Sequence, residues 1–200
     1  MADPRSLTSP TGMRMAAVLA MLIALTGCSS HRAAQSTFKD PEMDFGLIRT
    51  VAVVPFGNLT SSPRAADRVR DVFMTMLQAT GAVYVLPPGE IARGISRVSP
   101  ADPTSPTAEE AVALGKNLDA DVIITGTVLE YGEVRSASAV ANVISLSLEM
   151  VETGSGKVVW SSSSTKGGIG AGKRLLGGGG EPMNVVTVDA VDELLDQLFK

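Results

Sequence analysis

The stretch from Ala139 to Glu152 alternates between apolar and polar residues, and it restricts the fold more than any other part of the chain. Such an alternation predicts a β-strand with one buried face and one solvated face. The buried set would be Ile144, Leu146, Leu148 and Met150, and the solvated set Ser145, Ser147 and Glu149. A Thr-Gly-Ser-Gly turn at 153–156 leads into a second β-branched run at 157–161, so the two runs predict a β-hairpin.

The rest of the chain alternates between predicted strands and predicted amphipathic helices. Apolar, β-branched runs indicate strands at 50–56, 82–86 and 121–131, with a short connection at 132–138. Helical periodicity and end signals predict helices at 64–80, 90–98, 107–117 and 185–199, the last with Val188, Val191, Leu195 and Leu198 facing inwards. The predicted fold is α/β (α+β), with a single mixed sheet of about five strands, the order β-α-β-α-α-β-β-β-α, and helices packed on the sheet.

The N-terminal segment has the layout of an exported bacterial precursor. Arg5 and Arg14 precede an unbroken apolar run of eleven residues at 15–25, which is shorter than the roughly 20 residues that span a bilayer. The residues LTGC at 25–28 resemble a bacterial lipobox. The resemblance implies cleavage before Cys28 and lipid attachment, including palmitate, on that cysteine.

The lipobox predicts a lipoprotein signal peptide at 1–27, a polar tether at 28–45 and an α/β domain at 46–200. Ser29, rather than Asp, follows the cysteine and resembles the signal for export to the outer membrane. We therefore expect a lipid-anchored protein on the periplasmic face of the outer membrane. Because residues 1–12 are polar for the start of a signal peptide, Met13 is an alternative to Met1 as the first residue.

The composition argues against several classes of activity. The net charge of −4 opposes nucleic-acid binding, which needs clustered Lys and Arg. The only histidine, His31, lies in the tether, so neither a Ser/His/Asp site nor a His-based metal site is expected. Asp67 and Asp71 lie among arginines on a predicted helix, which is typical of a solvated ion-pair face. We expect a protein that is not an enzyme, with no cofactor, no metal and no nucleic-acid partner.

The glycine-rich stretch at 165–180 has almost the spacing of a phosphate-binding P-loop. Gly167 is followed, after four residues, by Gly172 and Lys173, but Arg174 stands where a P-loop has Ser or Thr for magnesium. Four glycines follow closely and leave no room to nucleate a helix. A nucleotide-binding enzyme that uses this loop is therefore the lowest-ranked alternative. The favoured alternatives are a plain connecting loop or a contact with a membrane or a neighbouring subunit through Lys166, Lys173 and Arg174.

Three motifs in order resemble landmarks of the CsgG-like periplasmic and outer-membrane lipoproteins. They are VAVVPFGNLT at 51–60, LDADVIITGTVLEYG at 118–132 and VISLSLEMVETGSGKVVW at 143–160. LpoB, PelC and the amino-terminal domain of TolB are similar to this family in architecture. The resemblance covers nearly all of the chain behind the lipobox.

This resemblance implies a non-enzymatic accessory or assembly factor for an envelope process, such as secretion of a surface polymer or a curli-like fibre. The implied partners are the lipid bilayer, through acylated Cys28, and either another envelope protein or further copies of the same chain. The alternative from the same resemblance is an LpoB-like activator of a peptidoglycan synthase.

Overall fold

One open, mixed β-sheet with four helices packed on it forms the part of the chain that the computed structural model describes, residues 37–136, 139–168 and 180–200. All of these residues belong to one unit, Gln35–Lys200. Cys28, Lys173 and Arg174 lie outside the described residues, as does the predicted signal peptide.

The elements follow one another in the predicted order, with two very short strands added. The strands are β1 Phe38–Lys39, β2 Thr50–Val53, β3 Gly57–Asn58, β4 Tyr84–Val85, β5 Val122–Ser136, β6 Ala139–Glu152 and β7 Val158–Gly167. The helices are α1 Ala65–Ala79, α2 Pro88–Val98, α3 Ala108–Leu118 and α4 Met183–Phe199, and a short 3₁₀ helix spans Phe45–Leu47. The mixed α+β class is confirmed, with seven strands in the described part rather than about five.

The strand order in the sheet is β1-β7-β6-β5-β2-β4, and β3 pairs with β5 beyond the end of β2. β2 is parallel to both β4 and β5, whereas β5, β6, β7 and β1 are successively antiparallel. The crossovers β2–α1–β4 and β4–α2–α3–β5 run in opposite directions, so right-handed connections place α1 and the α2–α3 pair on opposite faces. α4 packs beside α1 on β6 and β7.

The core lies mainly between the sheet and the α1–α4 layer. The apolar stripe of α1 is buried at Val69, Phe73 and Leu77, none of which is more than 1% exposed. The predicted inward face of β6 is confirmed, because Ile144, Leu146, Leu148 and Met150 are all buried. On α4, Val191, Leu195 and Leu198 are buried as predicted, but the prediction for Val188 is wrong. Val188 is 42% exposed, and Thr187, Ala190 and Leu194 complete the buried stripe instead.

The β5–β6 hairpin is longer than the sequence predicts. Residues 132–138 were expected to form a loop, but β5 continues to Ser136, which pairs with Ala139 of β6. This end of the hairpin extends past Val143, where the pairing of β6 with β7 ends. Glu133, Val134 and Arg135 are all exposed, so this part of β5 has no alternation between a buried and a solvated face, and the sequence carries no strand pattern.

Strand β1 lies within the segment predicted to be a tether. Phe38 and Lys39 pair with Ser161 and Trp160 of β7. The Nζ atom of Lys39 donates to the carbonyl oxygen of Leu198 at 3.0 Å, which ties this strand to the end of α4. The described part of the predicted tether is therefore in contact with the sheet, and its two-residue strand is too short to produce a pattern in the sequence.

Candidate interaction surface

Lys166 is the one predicted contact residue that lies within the described chain, and it lies on β7 beneath α4. Its Nζ atom is 3.0 Å from Oε1 of Glu193, and Ser164 donates a hydrogen bond to the other carboxylate oxygen. The two side chains of the ion pair are 34% and 23% exposed, so water screens their attraction only in part. In the structure, Lys166 thus binds α4 of its own chain.

The same contact continues along β7 as a polar seam between a strand and a helix. Gln197 accepts hydrogen bonds from Ser162 and from Thr37, the latter at 2.8 Å. Two residues along a strand and four along a helix both advance by about 6 Å. The spacing from Ser162 to Ser164 on β7 therefore equals the spacing from Gln197 to Glu193 on α4, and each serine faces one of these side chains. We call this set the β7–α4 seam, and it consists of Thr37, Ser162, Ser164, Lys166, Glu193 and Gln197.

The seam was not predicted, although the sequence contains a signal for it. Serine runs are typical of loops, and the sequence pattern ends the predicted strand at Ser161. In the structure Ser162 and Ser164 are only 3% and 2% exposed, and their hydroxyl groups need partners at that depth. The spacing of polar residues at i and i+4 on α4, opposite i and i+2 on β7, is the pattern that would have revealed the seam.

The residues Pro-Phe-Gly-Asn at 55–58, in the first of the three motifs, follow directly after β2. Phe56 is buried against Phe73, with ring centroids 6.1 Å apart. Asn58 makes a compact turn, because its Nδ2 atom donates to Ser62 O at 2.8 Å and its Oδ1 atom accepts from Thr60 N at 3.0 Å. The motif therefore fixes the path of the chain from the sheet into α1.

Arg70, which is also on α1, binds the backbone at the same strand end. Its Nε atom lies 3.1 Å from the carbonyl oxygen of Val53 and 2.9 Å from that of Val54. Burial lowers the pKa of Arg70 below its usual value, and the charges of Asp71 and Asp67 oppose that shift. The half-buried guanidinium donates to two carbonyl groups at the end of the strand, so its role is to hold α1 against β2.

Residues of the second and third motifs hold the opposite end of the sheet. They are Ala120 and Asp121, just before β5, and Thr153 in the turn after β6. The Asp121 carboxylate accepts from the backbone amides of Arg49 and Thr50 at 2.7 and 2.9 Å, which joins the starts of β5 and β2. The Thr153 hydroxyl donates to the carbonyl oxygen of Ala120 at 2.6 Å. Trp160, at the end of the third motif, is fully buried in the core. The residues that carry the family resemblance thus build the fold.

The described residues contain no group of three or more His, Cys, Asp or Glu side chains arranged to hold a metal ion. Gly167 ends β7, and the predicted nucleotide loop beyond Gly168 lies outside the described residues. Within the described ranges, no helix combines the length and the apolar character needed to cross a membrane.

One face of the β5–β6–β7 sheet is rich in hydroxyl groups. It is the face opposite to α1 and α4, where β6 pairs Glu149 with Thr125 and Ser161, and Ser147 with Thr127 and Ser163. The α2–α3 pair lies on this side of the sheet near the start of β5 and the end of β6. Short hydroxyl side chains on a sheet surface can hydrogen-bond to water or to a polar partner without a large entropy cost.

A groove runs between the C-terminal ends of α1 and α4. Its volume is about 340 Å³, and Met76 and Ala79 of α1 face Asp192, Leu195, Asp196 and Phe199 of α4. Leu195 is buried at its floor, while Phe199 is 48% exposed at its end. Asp196 is paired with Lys200, whereas Asp192 has no ion pair or hydrogen bond among the described residues. The groove thus combines apolar surface with negative charge.

No protein-family model matches the sequence, and no curated protein matches it. The fold does occur in solved structures. The PelC dodecamer from Paraburkholderia phytofirmans is similar with a TM-score of 0.55 and 18% sequence identity, over 82% of this chain and 96% of the PelC chain. Lipoprotein GNA1162 from Neisseria meningitidis is similar with a TM-score of 0.54 and 16% identity, over 76% of this chain and 98% of that chain.

The C-terminal domain of LpoB from Salmonella enterica gives a TM-score of 0.46 and 12% identity, over 63% of this chain and 86% of that domain. A TM-score below 0.5 does not establish a shared fold. The similarity to PelC and GNA1162 confirms the architecture that the three motifs predicted, whereas membership of the CsgG-like family stays a prediction. This chain therefore has the same fold as the PelC subunit and lipoprotein GNA1162.

Proposed function

We propose that this protein is a non-enzymatic lipoprotein of the cell envelope that works as an assembly of identical subunits. The observation that carries the proposal is the fold, which is that of the PelC dodecamer and of lipoprotein GNA1162. In this chain, the domain with that fold follows a segment that resembles a lipobox. The use of the three motifs for packing agrees with a binding or scaffolding role.

In this proposal, acyl chains on Cys28 hold the protein on the periplasmic face of the outer membrane, and the sheet-and-helix domain meets its partners from there. A single acyl chain gives only marginal membrane binding, so stable anchoring needs the further chains that a lipobox cysteine receives. The process that we propose is secretion of a surface polymer or a fibre, in which the assembled subunits serve as an accessory part. Activation of a peptidoglycan synthase is the alternative.

The anchor is tested in cells that express the full chain and are fed labelled palmitate. We expect label on the protein, and we expect the protein to sediment with outer-membrane markers in a density gradient. Cys28→Ala is the control, which should carry no label and retain a longer N-terminus. An unlabelled wild-type protein in the soluble fraction would exclude the anchor.

The assembly is tested by light scattering on the acylated full-length protein in detergent, with the detergent mass subtracted. We expect a discrete multiple of the subunit mass. A monomer at every accessible concentration would contradict an assembly of identical subunits and would favour a single envelope protein as the partner.

A further inference from the structure

We infer that the groove between α1 and α4 is the receiving half of the contact between subunits, and that its occupant is the segment 173–176 of a second copy of this chain. The inference rests on the proposed assembly of identical subunits and adds the surface through which the copies join. It depends on the chemistry of the groove and on the distance that the chain can span.

The groove offers one negative charge with no described partner beside an apolar floor. The Asp192 carboxylate is exposed at the rim, and Leu195 is buried below it. Phe199 leaves about half of its surface, 48%, uncovered at the end of the groove. An aromatic ring and an exposed carboxylate in one groove favour a ligand that is both cationic and apolar.

The sequence contains such a ligand in one short segment. Lys173 and Arg174 are followed directly by Leu175 and Leu176, and glycines flank the four residues on both sides. The two cations complement the acidic rim, where the exposed carboxylates of Asp192 and Asp196 lie one turn of α4 apart. The two leucines complement the floor.

The leucines of the same chain do not reach the floor of this groove. The amide of Gly180 donates to Val140 O, and Asn142 donates to the carbonyl oxygen of Glu181, so the chain re-enters beside the start of β6. From Gly180, the four residues back to Leu176 reach at most about 14 Å.

The floor of the groove lies farther away than that reach. The pairing of Lys166 with Glu193 and of Ser162 with Gln197 shows that α4 runs antiparallel to β7 and away from Gly180. Along α4, Leu195 and Phe199 lie about 18 and 24 Å beyond Met183, at about 1.5 Å per residue. The leucines of a second copy have no such restriction.

A groove on one surface that receives a segment from another surface gives a head-to-tail contact. Contacts of this type close into rings when the rotation between subunits allows it, and otherwise give open filaments. A discrete assembly held by this contact would therefore be a ring, which agrees with the proposed function.

The test compares the masses of acylated full-length variants in detergent over a range of concentrations. Asp192→Lys changes the groove, and Lys173→Glu with Arg174→Glu changes the segment. We expect each change to raise the concentration of half-assembly by about tenfold or more, because it places like charges together at the contact. Asp189→Lys is the matched control, since this exposed acid lies on the same helix outside the groove, and it should assemble as the wild type does.

Mixing the two defective proteins identifies where the segment docks. Between copies, the intact groove of one variant meets the intact segment of the other, and the two changed halves are again opposite in charge. We therefore expect the mixture to assemble within about twofold of the wild-type concentration. Variants that fail alone and also fail when mixed would overturn the inference in favour of docking within one chain, and thermal unfolding would show that each is folded.

Two further outcomes separate this inference from the proposal beneath it. A wild-type monomer would remove both the proposed assembly and this contact. A wild-type oligomer with both variants unchanged in mass would overturn only the contact. Vesicles of phosphatidylglycerol and phosphatidylethanolamine provide the last comparison, because a segment variant that loses vesicle binding but keeps its mass would assign Lys173 and Arg174 to the lipid.

Discussion

At the residue scale, two close approaches between elements depend on glycine, which has no side chain. Gly126 stands in β5 where the Phe56 ring and Leu148 fill the core above it. Gly115 of α3 is packed against Thr153 of the hairpin turn in the same way. Both glycines fall in segments that the sequence marked as a strand and a helix, where glycine lowers local propensity. Their presence is explained by packing between elements.

Gly126→Ala should lower the free energy of unfolding by about 1–3 kcal/mol, because the added methyl group overpacks the core. Its Cβ atom would lie 2.5 Å from Cδ2 of Leu148 and 2.9 Å from the Phe56 ring. Urea denaturation followed by the fluorescence of Trp160 measures this change. Gly154→Ala is the control, since nothing lies within 4 Å of its added Cβ atom, and it should change stability by less than about 0.5 kcal/mol.

At the start of α3, the Thr107 hydroxyl accepts a hydrogen bond from the Glu110 amide and the Glu110 carboxylate accepts one from the Thr107 amide, which is a capping box. The second prediction at this scale concerns its dependence on pH. Backbone hydrogen bonds from Ala101 and Thr107 lower the pKa of Glu110 below its ordinary value of 4.5. A lowered pKa in the folded state stabilises the protein above the unfolded value, and this contribution is lost as the pH falls through the folded value. The stability difference between the wild type and Glu110→Gln should therefore be largest near neutral pH and shrink below pH 4.5.

Urea denaturation at several pH values measures this difference. Glu109→Gln removes the same charge from the same helical turn, but Glu109 makes no such hydrogen bonds among the described residues. Its stability difference should change less with pH. A difference for Glu110→Gln that stays constant from neutral to acidic pH would contradict the role of these two hydrogen bonds.

At the element scale, the sequence predicts elements that bury an apolar stripe and misses those that do not. β6 and α1 have strong periodicity and were predicted to within a residue of their observed ends. The outer end of the β5–β6 hairpin and the serine run of β7 lack apolar alternation, and the sequence predicts no strand over 132–138 or beyond Ser161. Pairing between strands and hydrogen bonds to a helix hold these parts, and such long-range interactions leave little trace in local sequence.

The β7–α4 seam predicts different effects for two groups of basic residues. Lys166→Met removes the ion pair with Glu193 and should lower stability by about 0.2–1 kcal/mol, because the pair is partly exposed. The mass of the assembly should stay that of the wild type. Lys157→Met is the control, because this exposed lysine lies just before β7 and takes no part in the seam.

Urea denaturation and light scattering on the same samples give both results. Lys173→Glu with Arg174→Glu should show the reverse behaviour, with weaker assembly and unchanged unfolding. A loss of assembly in Lys166→Met would contradict the assignment of Lys166 to the seam and would place it with the other two cations.

At the scale of the whole molecule, the two edges of the sheet limit how copies can join. β1 and β4 are each two residues long, and short edge strands protect a sheet against pairing with another sheet. Extension of the sheet through β1 or β4 from one subunit to the next would bury little backbone. Contacts through side chains, such as those of the α1–α4 groove, are a better basis for an assembly than these two edges.

An assembly held by Asp192 against Lys173 and Arg174 should weaken with salt, whereas the fold of each subunit should not. The screening length falls from about 10 Å at 0.1 M to about 3 Å at 1 M ionic strength, and the core is apolar. Between about 0.05 and 0.5 M NaCl, we expect the concentration of half-assembly to rise several-fold while the free energy of unfolding changes by less than about 0.5 kcal/mol. Light scattering and urea denaturation measure the two quantities. Assembly that strengthens with salt would show that apolar burial dominates the contact, because sodium chloride screens charge without weakening the hydrophobic effect.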